Sequence, residues 1–129
     1  MQRYDIIIVG AGTAGCLAGM TSAEQGSKVL MLDCKDLKEI GKKVCGDAIG
    51  AHHFKNVKLK NPPSNAIRSK INAIVVCSPS GKHSYKVEGE GFALNRYEFG
   101  HWLLDQALDK GAELKPNTKV TFPIIEKER

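Results

Sequence analysis

The first part of the chain alternates between two hydrophobic patterns. Residues 4–10, YDIIIVG, form a nearly continuous apolar run, which predicts a central strand buried on both faces of a parallel sheet. Residues 13–25 have helical spacing and end at Gly26, a common residue just past a helix. The expected core-facing positions of this helix are Ala14, Leu17, Ala18 and Thr21. Residues 27–33, SKVLMLD, then predict a second strand, so the pattern indicates a parallel β-α-β unit.

The middle of the chain loses this regularity. Residues 34–69 contain several glycines and a proline pair, which favours a long functional loop with one short helix over 47–55. Residues 71–77 and 83–87 are rich in β-formers and flank the turn-forming SPSGK, so a hairpin is expected.

The last part of the chain returns to the first pattern. Asn95 and Glu98 have the spacing of a capping box, and a helix is expected from there to Gly111. Its expected core stripe consists of Phe99, Trp102, Leu103 and Ala107. Residues 112–115, AELK, predict a third parallel strand, and the final segment begins what looks like a further strand that stops short.

Composition fits one globular domain over residues 1–129. Hydrophobic residues make up 42% and charged residues 26% of the chain, and no apolar run reaches the roughly 18 residues that a membrane span requires. The N-terminus lacks the pattern of a signal peptide, so a cytoplasmic protein is expected. The four cysteines are widely spaced, which favours free thiols and gives no metal site.

The net charge of +5 is concentrated in one stretch. No acidic residue lies between Asp47 and Glu88, whereas that stretch carries seven Lys or Arg residues. It is either a solvated basic face or a surface for phosphates or lipid head groups, which would allow peripheral membrane contact. Nucleic acid is disfavoured because recognition-helix and stacking-aromatic patterns are missing.

The turn between the first strand and the first helix reads GAGTAG, a G-x-G-x-x-G motif in the context that its mechanism requires. Gly10 allows a tight turn, Gly12 allows close approach of a pyrophosphate, and Gly15 allows the helix to pack on the strand. The helix amides and dipole attract an anion. Asp33 ends the second strand about 20 residues on, where it can accept hydrogen bonds from ribose hydroxyls, and it disfavours NADP. The residues therefore indicate an FAD-like or NAD-like adenosine half, and spacing alone leaves both open.

Three further segments carry a resemblance to a known family. KVCGDAI, EGEGFALNR and FGHWLLDQALDKGAEL, together with the N-terminal run, resemble the N-terminal third of the geranylgeranyl reductases, FAD-dependent flavoproteins with a fold like that of para-hydroxybenzoate hydroxylase. The resemblance implies an α/β fold: a Rossmann-like FAD-binding domain with a parallel sheet and an additional β-hairpin, here incomplete. It implies a fragment of a flavin-dependent oxidoreductase that reduces C=C bonds of prenyl chains, with the substrate domain absent from this chain.

The resemblance also implies site residues. It places Ala14 with the three motif glycines on the pyrophosphate, and Cys34 beside Asp33 near the adenosine. It places Cys45, Gly46 and Ala48 along the flavin, Arg96 at its phosphate and ribityl region, and the backbone of Val120, on a strand, at the adenine. No catalytic residue is assigned, and Cys45 is expected either to pack against the ring or to act as a reactive thiolate.

The implied cofactor is FAD, and the implied substrate is a prenyl lipid or prenyl diphosphate. The electron donor, NAD(P)H or ferredoxin, stays open. Two other functions compete: a dinucleotide-binding module without redox chemistry, and a fragment of an NAD-dependent dehydrogenase. Binding of NADH in preference to FAD would favour the second of these.

Overall fold

The computed structural model describes residues 2–125 and divides the chain into two compact units. The first unit consists of the residues up to Lys42 together with those from Gly100 onwards. The second unit is Lys43–Phe99. Each unit has its own buried apolar residues, such as Met31 in the first and Phe54 in the second.

The first unit is built on a parallel sheet of three strands. These are β1 (Ile6–Val9), β2 (Val29–Leu32) and β6 (Glu113–Lys115), in the order β1-β2-β6. Ile7 pairs with Leu30, and Met31 pairs with Leu114. The predicted β-α-β unit and third parallel strand are confirmed, as is the α/β fold class.

Strand β1 departs from its expected place in the sheet. It was expected to be a central strand buried on both faces, but β2 is the middle strand and β1 lies at an edge of the described sheet. The side chains of Ile7 and Val9 are 57% and 65% exposed. The apolar run therefore predicted the strand correctly. Its predicted central position was wrong, because within residues 2–125 only β2 pairs with β1.

Helix α1 (Thr13–Glu24) packs through small residues. Its buried residues are Cys16 and Gly19, whereas Ala14, Ala18 and Thr21 of the expected core face are exposed and Leu17 is half-buried. A Cβ at Gly19 would lie 2.7 Å from the Met31 sulfur, so the glycine brings the helix backbone close to β2. The expected face was wrong because close backbone approach, and not side-chain size, decides how this helix packs.

The second unit is built on an antiparallel sheet. Its strands are β3 (Ala48–Gly50), β4 (Ile67–Cys77) and β5 (Ser84–Leu94), in the order β3-β5-β4. The predicted hairpin is confirmed, and both strands are longer than expected. Helix α2 (His52–Asn56) begins at residue 52, since Ala48–Gly50 pairs with β5 where a helix over 47–55 was expected.

The aromatic rings of the second unit form its buried centre. Phe54 of α2 packs edge-on against Phe92 and Phe99, with ring centroids 6.0 Å apart in both pairs. Phe99 belongs to α3 (Arg96–Asp109), which has the predicted bounds within two residues. The Oδ1 atom of Asn95 accepts a hydrogen bond from the Glu98 amide at 3.5 Å, which is one half of the predicted capping box. The other half is not formed, because the Asn95 amide donates to the Ala66 carbonyl and the Glu98 carboxylate accepts from the Asn65 side chain.

The last part of the described chain contains the predicted core stripe of α3 and the predicted final strand. Of the predicted stripe on α3, Phe99, Leu103 and Ala107 are buried and Trp102 is half-buried, with Leu104 buried in addition. The final strand is not formed over 116–125, and its continuation lies outside the described residues. Within residues 2–125, no helix has both the length and the apolar character needed to cross a bilayer.

Candidate functional site

The glycine loop lies between the carboxyl end of β1 and the start of α1. Gly10 has a φ of +101°, in the region that favours glycine, and its amide donates to the Leu32 carbonyl at 2.7 Å. A Cβ added at Gly10 or Gly12 would meet no atom within 4 Å, so the space beside the loop is open. A Cβ at Gly15 would overlap the carbonyl oxygen of Gly10. The loop therefore combines tight packing at Gly15 with an open side at Gly10 and Gly12.

The first turn of α1 supplies hydrogen-bond donors. Its first intrahelical bond runs from the Cys16 amide to the Gly12 carbonyl at 2.9 Å. Amides before that point have no partner inside a helix. Among residues 2–125, those of Gly12, Ala14 and Gly15 have no acceptor. Donors of this kind at a helix N-terminus bind phosphate well.

Asp33 joins the second strand to the glycine loop. Its Oδ2 atom accepts from the Ala11 amide at 2.7 Å, and its Oδ1 atom accepts from the Lys35 amide at 2.8 Å. Each carboxylate oxygen has two lone pairs, so these bonds leave room for a ribose hydroxyl. The carboxylate thus has a structural task that the sequence did not predict, because nothing in the motif links Asp33 to the Ala11 amide.

Cys16 lies at the glycine loop, although the sequence analysis did not predict it as a site residue. Its thiol is buried against the loop, with Sγ 3.2 Å from the Ala11 carbonyl oxygen. Burial, together with the nearby charge of Asp33, raises the pKa of Cys16 to about 12. The thiol therefore stays protonated at neutral pH and can act as a donor to Ala11. In the sequence, the only feature that could have indicated this position at the loop was the placement of Cys16 directly after Gly15.

The segment after β6 also runs beside Asp33. The Thr118 amide donates to the Asp33 carbonyl at 2.8 Å, and the Asn117 amide donates to the Lys35 carbonyl at 2.9 Å. Cys34 is exposed next to these contacts. Val120 follows two residues later and is also exposed, but it lies in no strand, so its expected strand placement was wrong. The backbone bonds at 117 and 118 hold the segment in an irregular path instead.

The other expected site residues lie in the second unit. Cys45 and Gly46 are exposed, and Ala48 begins β3, where it pairs with Ala93. Between them Asp47 has a φ of +59°, and its carbonyl accepts from the Leu94 amide at 2.8 Å. Arg96, the first residue of α3, is half-buried with its guanidinium carbon 5.4 Å from the centre of the Phe99 ring. The β3–β5 pairing thus places the Cys-Gly-Asp segment beside the end of β5.

A concave surface lies on the sheet of the second unit. It has a volume of about 430 Å³, and its lining includes Ile49, His52, Ile71, Ile74 and Val87. Over residues 2–125, no group of three or more His, Cys, Asp or Glu side chains is arranged to hold a metal ion. All four cysteines are free thiols.

Comparison with known sequences gives two kinds of match. A family model described as glucose inhibited division protein A matches residues 5–62. The digeranylgeranylglycerophospholipid reductase of Sulfolobus acidocaldarius is 36% identical over 124 residues, which are 96% of this chain and 27% of the relative. Digeranylgeranylglycerophospholipid reductase 2 of Methanopyrus kandleri is 36% identical over 115 residues, 88% of this chain and 28% of the relative. This chain therefore spans less than a third of the length of these relatives.

Comparison with solved structures agrees on the fold. A geranylgeranyl bacteriochlorophyll reductase-like protein from Thermoplasma acidophilum matches with a TM-score of 0.80 and 26% identity, over 88% of this chain and 30% of that one. The halogenase PltM in complex with phloroglucinol and FAD matches with a TM-score of 0.74 and 20% identity, over 97% of this chain and 30% of the other. The second likeness shows the fold alone.

Proposed function

We propose that this chain, which resembles the N-terminal third of the geranylgeranyl reductases in both sequence and fold, is the FAD-binding portion of a flavin-dependent oxidoreductase. The whole enzyme would reduce C=C bonds in the prenyl chains of lipids or lipid precursors. The substrate domain would lie in a part of the protein that this chain does not include. The proposal covers the cofactor, the reaction and the substrate class.

One observation carries the cofactor assignment. The amides of Gly12, Ala14 and Gly15 lack acceptors within residues 2–125, while the positions beside Gly10 and Gly12 are open. A diphosphate would accept those hydrogen bonds in a space that a Cβ would otherwise reduce. Asp33, fixed on the Ala11 amide, would accept from the ribose hydroxyls. The loop amides therefore fit the diphosphate of an adenine dinucleotide, and the Asp33 carboxylate fits its ribose.

After reduction by the electron donor, NAD(P)H or ferredoxin, bound FAD would supply a hydride to one alkene carbon while a proton adds to the other. The protein would supply binding, orientation and exclusion of water. In the first unit, Gly10, Gly12, Ala14 and Gly15 would hold the pyrophosphate, with Cys34 and the Val120 backbone at the adenosine. In the second unit, we assign Cys45, Gly46 and Ala48 to the flavin and Arg96 to its phosphate and ribityl region. These roles rest on the resemblance, and the exposure of Cys45 and Gly46 leaves both accessible to a ligand.

The proposals for the substrate and the cellular location of the whole enzyme rest on the same resemblance. We propose a prenyl lipid or prenyl diphosphate as substrate, met by a cytoplasmic protein that touches the membrane peripherally. The basic stretch between Asp47 and Glu88 supports this contact because anionic head groups attract lysine and arginine.

A flavin titration tests the proposal. The 129-residue chain is expected to bind FAD weakly, which a small quenching of FAD fluorescence would show. Gly12→Ala should weaken this binding further because its methyl group would occupy the space for the diphosphate. Gly89→Ala is the matched control, since a Cβ there also meets no atom within 4 Å but lies on β5. Equal affinities of the two variants, or preferential binding of NADH, would contradict the assignment of FAD to this loop.

A second experiment addresses the reaction. The 129-residue chain is expected to show no reduction of geranylgeranyl lipids with dithionite-reduced FAD, because hydride transfer needs an enclosed, aligned substrate. Steady turnover by this chain alone would disprove the proposal that a separate substrate domain is needed.

A third experiment tests the segment at Cys45. Cys45→Ser and Gly46→Ala should change the flavin absorption spectrum if this segment lies along the ring. In a nucleotide-binding module without redox chemistry, neither variant would change ligand binding or the flavin spectrum.

A further inference from the structure

Asp47 has a backbone conformation that is uncommon for a residue with a side chain. Its φ is +59°, and its carbonyl accepts a hydrogen bond from the Leu94 amide at 2.8 Å. The next residue, Ala48, begins β3 and pairs with Ala93 of β5. A left-handed residue other than glycine persists where the surrounding structure holds it, and such residues are frequent at functional sites. The bonds to β5 therefore fix the place from which the Asp47 side chain projects.

The carboxylate of Asp47 lacks the partners that a buried polar group normally has. Its Oδ1 atom is buried, and no donor in the part of the chain that the structure describes bonds to it. Over residues 2–125, no ion pair or side-chain hydrogen bond involves this carboxylate. A buried acceptor without a donor lowers stability, so native proteins rarely keep one. The ligand-free chain therefore carries an unfavourable arrangement that a donor from a ligand would relieve.

The surroundings of Asp47 leave room for such a ligand. Asp47 as a whole is half-buried, and Cys45 and Gly46 before it are exposed. A Cβ added at Gly46 would meet no atom within 4 Å, so the backbone next to Asp47 borders open space. Oδ1 faces the interior, but no bond holds the carboxylate there. Rotation about the side-chain bonds can therefore bring an oxygen to the open side.

We propose that Asp47 is a further binding residue for the flavin half of FAD, where its carboxylate accepts a hydrogen bond from a ribityl hydroxyl or from the ring N–H. The inference rests on the proposed function, which assigns Cys45, Gly46 and Ala48 to the flavin and gives Asp47 no role. A prenyl chain cannot supply the bond, because a hydrocarbon has no N–H or O–H group. A hydrogen bond to a carboxylate is also stronger than one between neutral groups.

Urea denaturation of the 129-residue chain without ligand tests for the missing donor. Asp47→Gly removes the unpartnered carboxylate and suits a positive φ, so it should raise the denaturation midpoint. Lys58→Gly is the matched control, since Lys58 has a φ of +56° in the same unit but is exposed. The midpoint should rise more in Asp47→Gly than in Lys58→Gly. An equal or smaller rise, or a fall, would overturn the proposal, because the carboxylate would then stabilise the free chain.

Calorimetric titration with FAD and with ADP tests the binding role. ADP contains the adenine, ribose and diphosphate of FAD but no flavin. Asp47→Gly should weaken FAD binding on the order of 10-fold, the effect of one hydrogen bond to a charged group, and leave ADP binding unchanged. Asp47→Asn keeps an acceptor oxygen and should restore part of the FAD affinity. Lys58→Gly should change neither ligand. Higher stability together with weaker FAD binding is a result that a purely structural role of Asp47 would not produce.

The outcomes that contradict this inference differ from those that contradict the proposed function. Equal weakening of FAD and ADP by Asp47→Gly would overturn the inference. Unchanged FAD affinity would also overturn it and would indicate a donor from a part of the protein outside this chain. ADP binding that Gly12→Ala weakens would leave the nucleotide site intact in both cases. If the parent chain binds neither ligand, the proposed function and the inference both fail.

A methylated cofactor identifies the donor. FAD with a methyl group on the ring N3 lacks the ring N–H but keeps the ribityl hydroxyls. An effect of Asp47→Gly that is equal for FAD and methylated FAD supports the proposal and assigns the bond to a ribityl hydroxyl. An effect that is seen with FAD and lost with methylated FAD supports it and assigns the bond to the ring.

Discussion

Gly15 and Gly12 belong to one motif but have different roles: Gly15 allows close packing of the backbone, and Gly12 leaves space for a ligand. The Cβ of Gly15→Ala would overlap the Gly10 carbonyl oxygen, and backbone cannot move aside as a flexible side chain can. Overpacking of this kind costs about 1–3 kcal/mol, so we expect the free energy of unfolding to fall by about 3 kcal/mol in urea denaturation. Gly12→Ala meets open space and should cost less than about 1 kcal/mol while weakening flavin binding. Similar stability losses in the two variants would contradict this division.

The buried thiol of Cys16 makes a prediction about pH. Burial raises its pKa from 9.0 to about 12, so the folded state holds the proton more tightly than the unfolded chain. The stabilisation is therefore complete below pH 9 and is lost as the pH rises towards 12. The slope is at most about 1.4 kcal/mol per pH unit.

Two measurements check this behaviour. Urea denaturation between pH 8 and about 10.5 should show a smaller loss of stability in Cys16→Ala than in the parent chain. At neutral pH, three thiols should react with a disulfide reagent in the folded state, and Cys16 should react only after unfolding, since Cys34, Cys45 and Cys77 are exposed. Rapid reaction of four thiols in the folded protein would show that the site at Cys16 opens readily.

At the scale of single elements, the start of α3 depends on Asn95. Its side-chain oxygen accepts from the Glu98 amide, and its own amide donates to the Ala66 carbonyl at 2.9 Å. Asn95→Ala keeps the backbone bond and removes the cap, so it should lower the free energy of unfolding by about 1 kcal/mol. Asn95→Asp retains an acceptor and should restore most of that loss. The two variants are compared by thermal and urea denaturation, and equal destabilisation would show that the cap contributes nothing.

The elements that were predicted correctly have strong local signals. The alternation of apolar runs and helical spacing identified β1, α1, β2 and β6, and the turn residues between β4 and β5 identified the hairpin. The glycine loop and Asp33 were identified by a motif whose mechanism fixes its place between a strand and a helix. These features depend on residues close together in the sequence.

The elements that were missed depend on partners far along the chain. Strand β3 has only three residues and exists because Ala48 and Ile49 pair with Ala93 and Phe92 of β5. The buried face of α1 is set by Met31 and Gly10, which the helical pattern does not contain. The bonds from Asp33 to the Ala11 and Thr118 backbones likewise join distant residues, so neither they nor the path of Val120 could be read from local pattern.

At the scale of the whole molecule, the unpaired edge of β1 is a surface through which two copies of the chain can associate. Strand β1 pairs with β2 on one side, and within residues 2–125 no strand pairs with its other side. Ile7 and Val9 leave more than half of their side-chain surface exposed on this strand. An apolar edge with unpaired backbone groups is a template for pairing with another chain.

We therefore expect the 129-residue chain to self-associate as its concentration rises, in a way that sedimentation velocity can measure. Ile7→Lys should reduce this association, because a charged residue on an edge strand opposes strand pairing between chains. Val57→Lys is the control, since Val57 is 48% exposed but lies outside any strand. If the parent chain stays monomeric, or if the two variants reduce association equally, the β1 edge is not the contact. If only Ile7→Lys has an effect, the edge that lies next to the glycine loop is the surface on which another strand docks.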